Sequence, residues 1–373
     1  PHILAEPQRT NLVTYSEDFT DSSWNLDGSN VNLTRTPNAT TSPSGEENAT
    51  KLIGNNTSND PSNSYIGVNT SATAPYTTSI FAKKGEYDYL VSGIGSYAGG
   101  YYAIFNLSNG TVSTSPTASG TTASIEDYGN GWYRCLVNTT NTGSLQMLFI
   151  SPSVDGTITT LYNSTTSGVY IWGAQLEEGS YPTSYIPTSG STVTRNQDIF
   201  TRDGIGSLIN STEGVLFVEM AALSDDLTTR LISLSDGSDT NRIHCFYYSS
   251  SNTIALNYRV SGTTEASMTA SLGDETDFKK IAFRWESGNF KLYIDGVPSG
   301  TDANTTMLPS GTLHSLKFSR GDGIQNFYGK VKQLQVYDTS LTDNQLIQLT
   351  GEAGTHFFES YAEMAEALTY TIQ

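Results

Sequence analysis

The sequence predicts an all-β protein made of two antiparallel β-sandwich domains and closed by a short amphipathic helix. Three observations lead there. Apolar and aromatic residues fall in short alternating runs bounded by Gly, Asn, Asp or Ser, the pattern of half-buried strands joined by turns. Charged residues are only 15% of the chain while Tyr occurs 22 times, a balance that suits pleated surfaces and turn-rich loops. A length of 373 residues exceeds one comfortable core and fits two domains. The regular spacing of the apolar residues argues against disorder.

From about Asn11 to Ile186 the runs include Thr77–Ala82, Tyr101–Phe105, Trp132–Val137, Gln146–Ile150 and Val169–Trp172. Each has strand length and none has a helical period, so an antiparallel sandwich or jelly roll is expected. From about Gly214 to Tyr337 the same grammar returns in Val215–Met220, Arg230–Leu234, Arg242–Phe246, Ile254–Tyr258, Lys280–Trp285 and Phe290–Ile294. The last of these runs into Asp295-Gly296, a tight-turn signal. The two halves do not align, so they are two domains and not a repeat. The expected boundaries are 1–190, 191–355, and 356–373 for a helix and tail.

Between the two sets of strands, Glu177–Ser191 reads EEGSYPTSYIPTSGS. Pro182 and Pro187 remove backbone donors and push their predecessors toward extended conformations. The stretch lacks the PxxP spacing of a proline-rich ligand. It is expected to pack Tyr181, Tyr185 and Ile186 along the first sandwich before releasing the chain. Near the end, Phe357, Phe358, Tyr361, Met364, Ala365 and Leu368 recur at helical spacing, and Ser360 with Glu363 has the form of a capping box.

The formal net charge is −18. Up to Gly190 there are 15 acidic and 6 basic residues, and beyond it 22 and 13. A surface this acidic repels nucleic acid and anionic membranes, so neither is an expected partner. No apolar run approaches the length of a membrane span. Cys135 and Cys245 fall in different domains and read as two buried thiols. Sequons such as those at Asn32, Asn69 and Asn138 are frequent by composition alone and do not imply glycosylation. A chain that starts at Pro1, without a Met or signal peptide, is expected to be part of something longer.

Three motifs carry a resemblance. Glu6–Phe19 (EPQRTNLVTYSEDF) followed by Trp24, then Gly129–Cys135 (GNGWYRC), then Tyr170–Thr188 (YIWGAQLEEGSYPTSYIPT) are similar, in that order, to a lectin-like module of bacteriophage tail fibre and virion appendage proteins. In the second half, Phe290–Val297 (FKLYIDGV), Phe327–Asp338 (FYGKVKQLQVYD) and Ser340–Leu346 (SLTDNQL) resemble the laminin-G-like, concanavalin-A-like sandwich over about Gly214–Leu349. The tail Phe357–Gln373 also looks like endings of phage appendage proteins. The resemblance implies a virion protein located outside the cell, whose partners are host surface glycans and other virion proteins. It also implies assembly as a homotrimer, to which the C-terminal helix would contribute its apolar face. A purely structural fibre or capsid-decoration protein, or a bacterial surface adhesin built from the same modules, are the alternatives.

Catalysis finds no support in the residues. Concanavalin-A-like hydrolases place two carboxylates on one face of a strand, whereas Glu126-Asp127 and Glu177-Glu178 are adjacent and would face opposite ways. His2, His244, His314 and His356 lack metal-ligand spacing, and no nucleophile elbow or phosphate loop occurs. The chain is therefore expected not to be an enzyme. Glycan binding would use exposed rings and short polar side chains near loops. The candidates are Tyr97, Tyr101 and Tyr102 around Gly99-Gly100, and Tyr247, Tyr248 and Asn252 around the Ser-rich loop after Cys245. A cross-strand ladder would account for the tyrosines equally well. Trp132, Trp172 and Trp285 read as core. No cofactor is required, but Asp236, Asp239 and Asp322 offer hard oxygens for calcium, with ordinary turn-capping as the other explanation.

Overall fold

A computed structural model describes residues 1–24, 33–56, 65–70, 74–95, 99–140, 147–158 and 162–351. The helix expected over 356–373 lies outside them. The chain divides into two compact units, residues 8–196 and residues 1–7 with 197–373. We call the first the inserted unit and the second the split unit. The expected boundaries are corrected at both ends. Ile3–Ala5 pairs antiparallel with Gly329–Val331, and Ala5 lies in the split unit's core. Val193–Arg195 pairs with Arg9–Asn11 in the inserted unit. The first three-residue strand is too short to reveal, by pattern alone, which sheet it will join.

The inserted unit has a six-stranded sheet in the order Thr121–Gly129, Trp132–Thr139, Tyr76–Lys84, Tyr162–Glu178, Ala49–Asn56, Leu33–Thr40. A five-stranded sheet runs Ile66–Asn69, Met147–Ser153, Tyr89–Ile94, Tyr102–Asn106, Thr111–Thr114. All pairings are antiparallel. Alternate residues of both sheets, among them Ile80, Val137, Ile171, Leu90, Phe105 and Ile150, fill one core. The long strand Tyr162–Glu178 changes parity midway. Val169 and Ile171 face the core before a register shift at Trp172/Gln175, and Ala174 and Leu176 face it afterwards. Gly173 sits in that bulge at φ 64°, where a Cβ would lie 2.9 Å from the Phe81 ring. The bulge turns Trp172 outward onto Phe81 and Tyr185.

The split unit stacks two six-stranded sheets. One runs Ile3–Ala5, Gly329–Tyr337, Glu213–Ala222, Lys279–Glu286, Phe290–Ile294, Val297–Asp302. The other runs Thr201–Asp203, Ser315–Lys317, Arg230–Ser235, Arg242–Tyr247, Thr253–Val260, Thr263–Ser271. Leu216, Val218, Ile232, Ile243, Leu256 and Phe283 meet between them. Trp285 is wholly buried there, and its indole N–H donates to the Asn210 carbonyl at 3.0 Å. Cys135 and Cys245 are free and buried, one in each unit, as expected. The described helix is Asp343–Thr350. Thr342 and Gln345 close a capping box at its start. Leu346 is buried with Val215, Phe217, Ala282 and Tyr293 on the outer side of the first sheet.

Candidate glycan-binding faces

The three signature motifs of the inserted unit converge, and they do so to hold the closing segment. Asn11 is fully buried. Its amide donates to the carbonyls of Ala174 (3.1 Å) and Ile186 (2.8 Å) and accepts from the N–H groups of Val13 and Leu176, so every site of the amide is used. Arg134, from the second motif, is buried and donates to Thr183 O at 2.7 Å and Ser79 Oγ at 3.0 Å. Glu177 is 1% exposed and accepts from Thr183 through both N–H and Oγ1. Tyr181 and Ile186 are buried, and the Tyr185 hydroxyl bonds Ser16 and Glu17. The extended segment does pack along its own sandwich, and the polar residues of the motifs are spent on it. Trp132 and Trp172 are buried as expected, in a small cluster with Ala49 and Phe81.

Rings gather elsewhere in the inserted unit. On the side of the five-stranded sheet away from the core, Val91, Ile104 and Phe149 are buried beneath half-exposed Tyr65, Tyr89 and Tyr102. The register explains the grouping. Gly67, Phe149, Gly93 and Tyr102 form one cross-strand row, and a Cβ at Gly93 would sit 2.5 Å from that of Tyr102. Glycine therefore opens the space in which the rings lie. Of the sequence candidates, Tyr102 belongs to this face. Tyr101 is half-exposed at its end, over Gly99, and Tyr97 lies outside the described residues. Tyr65, Tyr89 and Phe149 were missed, although the alternation Tyr89-Leu-Val-Ser-Gly-Ile94 already sets Tyr89 opposite the core positions Leu90 and Ile94.

In the split unit the candidates separate. Tyr247 is corrected: it is 1% exposed, stacked 6.2 Å from Phe327 in the core, and burial pushes its phenol well above the usual range. The strand Arg242–Tyr247 alternates, so odd positions face inward and Tyr247 follows Ile243 and Cys245. Tyr248 is 43% exposed and lies 5.9 Å from Phe246. Asn252 sits at φ 52°. Its Oδ1 accepts from Glu275 N and its carbonyl from Leu272 N, which is a loop-tying role. Beneath that loop Glu275 is buried. Desolvation, with Asp225 next, pushes its carboxyl up to about 7.

The aspartates considered for calcium are held by other groups. Asp236 accepts from Ser238 and Asn241 in its own turn. Asp239 contacts three guanidiniums, those of Arg242, Arg259 (3.1 Å) and Arg320 (3.3 Å). Asp322 accepts from Arg320 at 2.9 and 2.7 Å. Among the described residues no group of three or more His, Cys, Asp or Glu side chains gathers to hold a metal.

Those arginines mark a second face, which the sequence reading missed. Across the outer side of the second sheet, the register aligns Lys317, Ser233, His244, Asn257 and Ser267 in one row. Ser235, Arg242 and Arg259 form the next row. His244 is 2% exposed. Its Nδ1 accepts from Arg242 Nε at 2.5 Å, so the neutral ring carries its proton on Nε2. Burial first, then the charges of Arg242, Arg259 and Arg320, hold its pKa well below the ordinary value. Burial and the other two arginines lower Arg242 to about 10. The alternation Arg242-Ile-His-Cys-Phe246 in a strand was the available signal.

One family model matches within the split unit. Residues 216–347 match the family model described as the concanavalin A-like lectin/glucanases superfamily. No curated protein matches the chain. Among solved structures, the chain is similar to the Ruminococcus gnavus IT-sialidase CBM40, at 17% identity and a TM-score of 0.33, over 40% of this chain and 86% of that one. It is also similar to the SAP-like pentraxin of Limulus polyphemus, at 16% and 0.31, over 38% and 70%. A third is mouse laminin alpha1 chain, domains LG4-5, at 10% and 0.31, over 73% and 85%. The family match over 216–347 falls within the stretch where the sequence motifs had placed a laminin-G-like, concanavalin-A-like resemblance.

Proposed function

We propose that the protein is a non-enzymatic glycan-binding appendage of a phage virion, adhering to host surface sugars. The observation that carries the binding is the ring face of the inserted unit, where Tyr65, Tyr89 and Tyr102 stand half-exposed over Val91, Ile104 and Phe149. Sugars stack their apolar faces on such rings, and a sheet holds the rings in place without further ordering cost. The lectin-type domain matched over 216–347 supports the same reading. The virion assignment rests on the three motifs of the inserted unit, and other virion proteins and a homotrimeric state go with it.

A glycan array probed with the intact chain tests the reading. Binding to a restricted set of glycans, weakened roughly 2- to 10-fold by Tyr102→Ala, is the expected result. A blank array would remove it. The structural reading, a spacer that binds no sugar, draws on the observation that Asn11, Arg134 and Glu177 serve the closing segment. A blank array favours that alternative.

A further inference from the structure

We propose that the outer face of the split unit's second sheet is a subsite for a carboxylate-bearing sugar, with His244 as its buried donor and Arg242, Arg259 and Arg320 as its cationic wall. The inference deepens the glycan-binding reading and rests on it.

Three features of the face point to an anion. The first is charge. In a chain of net charge −18, three guanidiniums gather in one place and share two carboxylates, Asp239 and Asp322. Arg242 and Arg259 lie directly opposite each other on adjacent strands, an arrangement that like charges disfavour unless an anion lies between them. The second is the orphaned donor. His244 Nε2 has no hydrogen-bond partner among the described residues, and a buried N–H left unpaired costs stability that a ligand acceptor would restore. The third is the group already present. Asp239 puts a carboxylate on all three guanidiniums, so the cluster accepts this functional group and its planar oxygens.

Access is from solvent. The side chains of Arg259 and Arg320 are 27% and 23% exposed, and Asp239, on the turn between Ser235 and Arg242, is 33% exposed. A ligand carboxylate reaches the guanidiniums first and takes over part of Asp239's role, and the His244 ring is reached through Arg242, to which its Nδ1 is bonded. Along the same strand the outward line continues through Phe246 to Tyr248. Four residues at the strand rise put that exposed ring about 13 Å from His244, within reach of a neighbouring sugar in the same oligosaccharide.

The test is a calorimetric titration of the intact chain with a glucuronate-containing oligosaccharide, its neutral glucose counterpart, and the counterpart carrying a sulfate ester. The expected result is binding of the uronate about tenfold or more tighter than the neutral sugar, the scale of a charge-assisted contact. Arg259→Gln should abolish the preference, and Asp239→Asn, which removes the internal competitor, should increase it. His244→Gln is the more disruptive variant, and the half-exposed Arg259 keeps the test open if it does not fold. Equal binding of uronate and neutral sugar overturns the inference while leaving glycan binding standing. So does a preference that survives Arg259→Gln. Equal binding of uronate and sulfate ester shows a site for charge alone and overturns the carboxylate assignment. No binding of any of the three overturns the inference, and the glycan array then decides whether the glycan-binding reading stands.

Discussion

At the scale of single residues, two buried titratable groups of the split unit pull stability in opposite directions with pH. Glu275 has a folded pKa of about 7, raised chiefly by desolvation and then by Asp225. The folded state therefore holds a proton that the unfolded chain gives up near 4.5. Its contribution is greatest below that value and is lost as the pH rises toward 7. His244 is the converse case. Its folded pKa lies well below 6.5, so the stability of the neutral ring is present above 6.5 and is lost as the pH falls. Comparing Glu275→Gln with the parent cancels the histidine, which both share. The melting temperature of the variant should gain on the parent's steadily from pH 5 to 7.5, because the glutamine stays neutral. A difference that is constant across that range would mean that Glu275 titrates normally.

At the scale of elements, most strands were legible because alternation survives in the sequence. Arg242–Tyr247, Lys279–Glu286 and Phe290–Ile294 lie close to where their patterns put them. The exceptions have physical reasons. Ile3–Ala5 carries too few residues to show a period, and its place beside Gly329–Val331 is a long-range pairing. The helix Asp343–Thr350 has a single buried large apolar residue, Leu346, so its capping box was the better signal. The ring face was half legible: Tyr102 was found, but Tyr65 and Phe149 come from strands distant in sequence, and only the register joins them to it. Arg242 and His244 were overlooked because polar residues in a strand read as solvent-facing, whereas here the turn Asp236–Asn241 brings Asp239 over them. The strand pairings also bear on cutting the chain. A fragment 191–373 lacks Ile3–Ala5, which leaves the edge of Gly329–Tyr337 bare. Residues 8–196 expressed alone should unfold cooperatively. A chain joining 1–7 to 197–373 through a short linker should be more stable than 191–373 in denaturant titrations. Equal stability of the two would mean that the first strand contributes little.

At the scale of the whole molecule, the two units present different surfaces. In the inserted unit the motif residues hold the closing segment, and the ring face lies on the other sheet. In the split unit the second sheet of the sandwich, whose residues 216–347 match the concanavalin A-like family model, carries a polar outer face. The claim tested most directly is that sugars bind on these outer sheet faces and not on the motif segment. Backbone amide chemical shifts of the intact protein, followed during titration with a glycan selected from the array, measure it. The account predicts shifts confined to the neighbourhoods of Tyr65, Tyr89 and Tyr102, joined by Arg242, His244 and Arg259 when the glycan is acidic. Shifts centred on Tyr181–Thr188, with both sheet faces silent, would contradict it.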